Sequence, residues 1–314
     1  MDKLPLRDLT VHHRSLGQRI WRARYIYLLL LPGLLYYLVF KYAPMGGIVM
    51  AFQTYKARLG ILGSPWVGLD NFRRLFITPR AVDAILNTLR ISFESMLITM
   101  PVPFILALLI NELRMARVRK IYQTVYTFPH FLSWVIISSL LTNLLATNGA
   151  VNGVMVQLGG EPFAFLASKS LARPMLYITR TWKEMGWNTI VYLAVISGID
   201  PALYEAATID GANRFQRIRY ITLPAMKELL IVMVILAIGN LMDSSFDQIY
   251  NIRNDVTKLA VDTIDTYVYD ITFGAKPNYS FSAAVSLFKS IVNVALLLAA
   301  DKLSKAVAGQ GIFK

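Results

Sequence analysis

Residues 205–224 read EAATIDGANRFQRIRYITLP, and they lie between two apolar stretches at about 175–199 and 229–246. A handful of residues would suffice to join two such stretches as a helical hairpin. This link is instead long, charged and helix-forming. Pro201 suits the first turn of a helix, and Ala202, Leu203, Glu205, Ala206 and Ala207 favour its continuation. Asp210-Gly211 is a turn or C-cap signal, and Asn213 is placed to cap a second helix. Phe215, Ile218 and Ile221 follow at i, i+3 and i+6, an apolar face that needs burying. Leu223 and Pro224 then precede the next apolar run. The spacing predicts helix, glycine turn, helix, lying on one face of a membrane.

The membrane is implied by the rest of the chain. Of 314 residues, 55% are hydrophobic and 16% charged, with mean hydropathy +0.49. Six spans are expected, at about Trp21–Tyr42, Ala84–Leu113, Ile121–Leu145, Met175–Ile199, Leu229–Phe246 and Phe281–Ala300, each near the length that crosses a bilayer. The fold class is therefore all-α, a polytopic membrane protein. Pro44 is expected to stop the first span. Pro101 and Pro103 imply a kinked second helix packed inside a bundle, and Pro129 lies near the start of the third. Residues 148–162 read as a short amphipathic helix between glycine breaks. The apolar run after residue 24 lacks a small-residue cleavage site, so it is expected to remain as an anchor.

The net charge of +13 would suggest nucleic acid on a soluble protein. Here the Lys and Arg flank apolar runs, so no nucleic-acid partner is expected. With the N-terminus inside, the inner segments hold 17 Lys/Arg in about 75 residues and the outer ones 11 in about 105. That bias is the one membrane topology requires, and it puts both termini and residues 205–224 in the cytoplasm. Cysteine is absent, which excludes disulfides, thiolate metal sites and thiol nucleophiles. Three His, two of them His12 and His13, argue against a His-based zinc site. No P-loop, His-Glu-x2-His or Gly-x-Ser-x-Gly motif occurs. No enzymatic activity and no cofactor are expected on this chain.

Glu-Ala-Ala, three residues, Gly, nine residues and Ile-x-Leu-Pro together resemble the signature of the permease subunits of binding-protein-dependent ABC importers. An ordinary interfacial helix is the alternative. PGLLYYLVFKYAPMGGIVMAFQTYK (32–56), SPWVGLDNFRRLF (64–76) and NTLRIS (87–92) resemble the sugar-importing branch, of the maltose and glycerol-phosphate type. Within it the chain is most similar to the permeases for complex oligosaccharides, including uronate-rich ones from pectin or alginate. The maltose-type partner carries a large extra periplasmic domain for which this chain has no room.

The resemblance implies a type I importer transmembrane domain at 25–304, with cytoplasmic tails at 1–24 and 305–314, in a bacterial inner membrane. It implies that the segment 201–224 couples to the ATPase through Glu205, Ala206, Ala207, Asp210, Gly211, Phe215, Ile221, Leu223 and Pro224. The partners it implies are a second homologous permease, two ATPase subunits as a homodimer holding ATP and Mg, an extracytoplasmic solute-binding protein, an oligosaccharide and membrane lipid.

Polar residues inside spans are costly and mark cavities or internal pairs. Asn87, Arg90 and Glu94 recur at helical spacing. So do Arg180, Lys183 and Trp187; Asn240, Asp243 and Asp247; and Ser286, Lys289 and Asn293. One reading has Arg180, Trp182, Lys183, Trp187, Asn188, Asn240, Asp243, Asp247, Lys289 and Asn293 lining a hydrophilic path. There Trp182, Trp187 and Tyr192 stack on sugar rings, and Lys183 and Lys289 attract a carboxylate. The other reading makes Arg90–Glu94 and Arg180–Glu184 ion pairs that hold the bundle together. A secondary transporter would need discontinuous helices and repeat symmetry, and a membrane enzyme would need facing His or carboxylate clusters.

Overall fold

The structure, a computed structural model, describes residues 17, 21, 23–113, 115–243 and 245–308. Most of the tail expected at 1–24, and the last residues of the tail expected at 305–314, lie outside these described residues. Among them, the only β feature is an isolated bridge between Gln53 and Trp66. Among the described residues, five helical stretches are long and apolar enough to cross a membrane: Arg24–Phe52, Pro79–Asn111, Trp134–Gln157, Arg214–Gly239 and Tyr279–Ala306. A sixth, Lys169–Ser197, passes that test only together with Pro201–Ile209, from which it is bent by 71°. Its polar residues, Arg180, Lys183, Glu184 and Asn188, account for its low hydropathy.

The unit up to Val49 holds α1 (Arg24–Tyr37), with Pro32 inside it. Pro44 does not stop this span. The helix widens to a π turn at Leu38–Tyr42 and tightens to a 3-10 helix at Ala43–Phe52, since a residue without an N–H disturbs the α ladder rather than ending it.

The second unit begins with α2 (Asp70–Ile77), α3 (Pro79–Thr99) and α4 (Pro101–Asn111). Met100 keeps helical dihedrals, so α3 and α4 join in one rod of 33 residues. The expected third span is broken. α5 (Ala116–Thr127) gives way at Pro129 to a 3-10 turn, Phe128–Phe131, and α6 (Trp134–Leu145) starts afresh with Ser133 Oγ accepting from Ile136 N. α7 (Ala150–Gln157) is the expected short helix between glycines.

α8 (Lys169–Ser197) packs on α3, α4 and α5. Gly186 makes the α5 contact possible, because a Cβ there would lie 2.1 Å from the Tyr126 carbonyl. Next come α9 (Pro201–Ile209) and α10 (Arg214–Arg217), then a π turn at Ile218–Thr222 and α11 (Leu223–Gly239). Pro224 is thus inside a continuous helix, not ahead of one. The π turn absorbs its missing N–H and the clash with the carbonyl four residues back. α11 also ends at Gly239, seven residues short of the expected Phe246.

The chain closes with α12 (Phe246–Ile252), α13 (Lys258–Val261), α14 (Ile264–Phe273) and α15 (Tyr279–Ala308). Leu75, Ala84, Met242, Ile264, Tyr267, Phe281 and Val285 form one core cluster. Ala107, Ile110, Tyr192, Leu193, Ile196 and Met226 form another at the C-terminal end of α8.

Charges fix the 247–280 link to α3. Arg253, 7% exposed, binds Asp262 at 2.5 Å and Asp270 at 2.8 Å. Arg80 from α3 reaches Asp262 at 3.0 Å and Asp270 at 2.8 Å, and Lys258 reaches Asp270 at 2.8 Å. Burial pushes the Asp270 carboxyl up, but hydrogen bonds from Lys258 and Arg253 outweigh it and hold the group below the usual carboxylate range.

Candidate functional site

The segment 201–224 folds as its local signals dictate. The Asp200 carboxylate accepts from Ala202 N at 2.9 Å, with Pro201 in the first turn of α9. α9 ends in a Schellman motif. Ala212 N donates to Ala207 O at 2.8 Å and Gly211 N to Thr208 O at 3.1 Å, with Gly211 at φ 76°. Only glycine adopts that dihedral without strain. Asn213 and Gln216 then form a capping box, with bonds of 2.9 and 2.7 Å.

The surface of this segment is uncovered. Leu203 is 53% exposed, Ile209 87%, Phe215 69% and Tyr220 70%. Glu205, Ala206, Asp210 and Pro224 are exposed, Ala207, Ile218, Ile221 and Leu223 half-buried. The apolar face expected at Phe215, Ile218 and Ile221 is thus only partly buried by its own chain.

Residues not singled out in the sequence hold the segment in place. Tyr204 Oη lies 2.9 Å from the buried Thr222 Oγ1, Arg217 donates to Thr208 Oγ1 at 3.2 Å, and Arg214 meets Glu112 at 3.5 Å. Asn111, Arg119, Ser197, Glu205, Arg214 and Arg217 line a cleft of about 650 Å³ behind α9. The Arg214–Glu112 pair joins two links about a hundred residues apart, and the Arg217–Thr208 and Tyr204–Thr222 pairs close across the Gly211 turn, so no single-helix spacing marks them.

The second candidate site is a cavity of about 400 Å³ walled by α3, α4, α8 and α11. Ser92, Thr99, Arg180, Asn188, Tyr192, Asn240 and Asp243 line it. Of the expected path residues it gathers Arg180, Asn188, Asn240 and Asp243. Lys289 touches it indirectly, pairing with Asp243 at 2.5 Å and Asp265 at 2.6 Å.

The other expected path residues are elsewhere. Lys183 is buried, and its ammonium donates to His130 O at 2.5 Å and Leu132 O at 2.7 Å, the carbonyls freed by the break at Pro129. Trp187 stacks on His130 with ring centroids 4.5 Å apart. Asn293 accepts from Met242 N at 3.1 Å, which holds the turn after α11. Asp247 is exposed on α12, and neither it nor Trp182 lines the cavity. Asn240, Asp243 and Asp247 form no stripe, because the helix they were expected to share stops at Gly239.

The expected ion pairs divide likewise. Arg90 and Glu94 pair at 2.8 Å, and Tyr177 donates to the same carboxylate. Glu184 turns instead to His130 Nδ1 at 2.9 Å, which leaves Arg180 with Ser95 Oγ at 3.3 Å.

A bundle of apolar spans around a polar cavity, with a structured helical insert bent off one span, defines the transmembrane permease of an ABC importer. The chain belongs to the family of the binding-protein-dependent transport system inner membrane component, whose model matches residues 99–309. It is 44% identical to the polygalacturonan/rhamnogalacturonan transport system permease protein YteP of Bacillus subtilis (strain 168), over 94% of this chain and 92% of that protein. It is 42% identical to protein LplB of the same organism, over 93% and 92% of the two chains. A chain in the crystal structure of a bacterial ABC transporter involved in the import of the acidic polysaccharide alginate superposes with TM-score 0.85 and 35% identity, covering 94% of this chain and all of that one.

Proposed function

We propose that this chain forms half of the translocation pathway for a uronate-containing oligosaccharide delivered by an extracytoplasmic solute-binding protein. The similar proteins named for polygalacturonan and alginate support the solute class. A solved complex of the alginate transporter with an alginate pentasaccharide-bound periplasmic protein, at 35% identity, supports the binding protein. A second, homologous permease completes the path, and a pair of ATPase subunits holds the ATP and Mg. This chain contributes no cofactor and no catalysis. Both termini and the segment 201–224 face the cytoplasm.

The observation that carries this reading is the α9–Gly211–α10 segment. It is bent 71° off α8, locked by a Schellman turn and a capping box, and left with Ile209 and Phe215 uncovered. A rigid element with an apolar surface is what a moving partner can grip. ATP binding closes the ATPase pair, the segment moves with it as a body, and the bundle passes between inward-open and outward-open states. The cavity then receives the solute. Ser92, Thr99, Asn188, Tyr192 and Asn240 offer hydroxyl and amide partners for sugar hydroxyls.

Gly211→Val and Glu205→Lys, each assembled with its partners, test the coupling. ATP hydrolysis stimulated by the loaded binding protein should be lost in both while assembly is retained. Wild-type stimulation in both variants would refute the assignment.

A further inference from the structure

We infer that Arg180 is the residue that reads the solute's carboxylate, and that Lys289 acts beside it by masking Asp243. The inference rests on the proposed function above and assigns charge selection within that path to two side chains.

Arg180 is 11 residues into α8 from Lys169 and 17 from Ser197. At 1.5 Å per residue it lies about 16 Å from one end and about 26 Å from the other, well within the hydrocarbon depth. A guanidinium at that depth needs a partner. The acid one turn on, Glu184, is turned away to His130. Glu94, the carboxylate of the facing helix, is held by Arg90 and Tyr177. Among the described residues no carboxylate lies within ion-pair distance of Arg180, and its one hydrogen bond, to Ser95, is long at 3.3 Å. Most of its five N–H donors are therefore uncommitted.

Two further observations point at a ligand. Arg180 lines the cavity, and so does Ser92, which is 6% exposed with a hydroxyl that has no hydrogen-bond partner. Orphaned buried polar atoms are rare and call for an explanation. Among the described residues that line the cavity the only carboxylate is Asp243, and it is paired with Lys289 at 2.5 Å, a cation it shares with Asp265 at 2.6 Å. A planar fork of donors, neighbouring hydroxyls and a masked acid suit one sugar carboxylate bound bidentately.

The test uses the complete transporter with its binding protein and ATPases in proteoliposomes. Uptake of labelled trigalacturonate is compared with that of its fully methyl-esterified counterpart, each saturating the binding protein. The readout is the acid-to-ester uptake ratio. Arg180→Gln should lower that ratio about tenfold or more, the worth of a charge-assisted bond, and Arg180→Lys should fall between. Lys289→Gln should also lower it by unmasking Asp243, and Lys289→Gln/Asp243→Asn should restore it.

An unchanged ratio in Arg180→Gln, including equal loss of both solutes, would overturn the inference. Should that variant fail to assemble, the Lys289 pair decides. No fall in Lys289→Gln, or no recovery in the double variant, would overturn the inference as well. Wild-type uptake of neither solute would instead remove the oligosaccharide reading on which it stands.

Discussion

Lys183→Met separates a structural cation from a path cation. Lys183 spans two backbone carbonyls at the broken link between α5 and α6, at 2.5 and 2.7 Å. Each charged hydrogen bond contributes about 1.5–3 kcal/mol net, so the pair contributes about 3–6 kcal/mol. Against this stands the cost of an ammonium at membrane depth, about 2.5–3.5 kcal/mol on insertion scales. Methionine keeps most of the stem and removes both terms. Taken at mid-range, about 4.5 against about 3 kcal/mol, the balance is a loss of about 1.5 kcal/mol. At about 2–4 °C per kcal/mol, the apparent midpoint should fall by about 3–6 °C. The assay is thermal unfolding of the purified transporter in detergent, run beside the acid-to-ester uptake ratio. The midpoint should fall and the ratio should hold. An unchanged midpoint with a collapsed ratio would mean that Lys183 faces the solute, and the reasoning would fail.

Gly186→Ala places a Cβ 2.1 Å from the Tyr126 carbonyl, where backbone and not side chain must give way, so it should destabilise by about 3 kcal/mol, the upper range for overpacking, read as loss of folded transporter after extraction. Gly153→Ala, with nothing within 4 Å of the added carbon, is the matched control and should be neutral. The Asp270 carboxyl is held below its usual range, so its stabilisation is complete above the unfolded value, about 3.9, and is lost as pH falls through the lower folded value. The midpoint difference between wild type and Asp270→Asn should therefore be flat from pH 5 to 8 and shrink below about pH 4; a difference that grows on acidification would contradict the ion-pair account. For orientation, Leu62→Cys and Lys276→Cys, both exposed, should label from outside in cells lacking the ATPase, and Asp210→Cys only after permeabilisation. Ser64 is 7% exposed and bonded to Gly60 O and Lys56 N, so a cysteine there should label poorly.

The segment 201–224 was legible because its signals are local. Pro201, Asp210-Gly211 and Asn213 each fix a dihedral or a hydrogen bond within a few residues. The limits of the spans were not legible for the opposite reason. Leu241, Met242 and Phe246 are apolar residues past Gly239, but the helix stops there, where Asn240 folds back on Leu236 O and Asn293, from α15, accepts from Met242 N. Pro129 is expected near the start of a continuous third span. It is a true break because the Lys183 ammonium, more than fifty residues on, donates to the carbonyls that the break exposes. The i, i+4 rule paired Arg180 with Glu184, but it could not see His130 competing for Glu184 from another link. The three-residue spacing put Arg180 and Lys183 on one face. Three residues turn a helix by about 300°, so the two side chains diverge by about 60°. Between crowded neighbours that is enough to send one to the cavity and the other to the α5–α6 break.

The two candidate sites are joined by covalent chain, and this bears on how one could drive the other. α8 ends at Ser197 and α9 begins at Pro201, so the three intervening residues reach at most about 10 Å. α10 runs without interruption into α11 through the π turn, and the Tyr204–Thr222 contact ties α9 to the base of that same helix. α8 supplies Arg180 and Asn188 to the cavity, and α11 leads to Asn240 and Asp243. Two of the cavity's walls are therefore the direct continuations of the segment's two ends. A displacement applied at Glu205–Phe215 needs no chain of side-chain contacts to reach the cavity, because rigid helices carry it there from both sides. The π turn at Ile218–Thr222 lies on one of these routes. Helices kink at such bulges, which interrupt the i→i−4 ladder, so this turn is where α11 can bend relative to the segment.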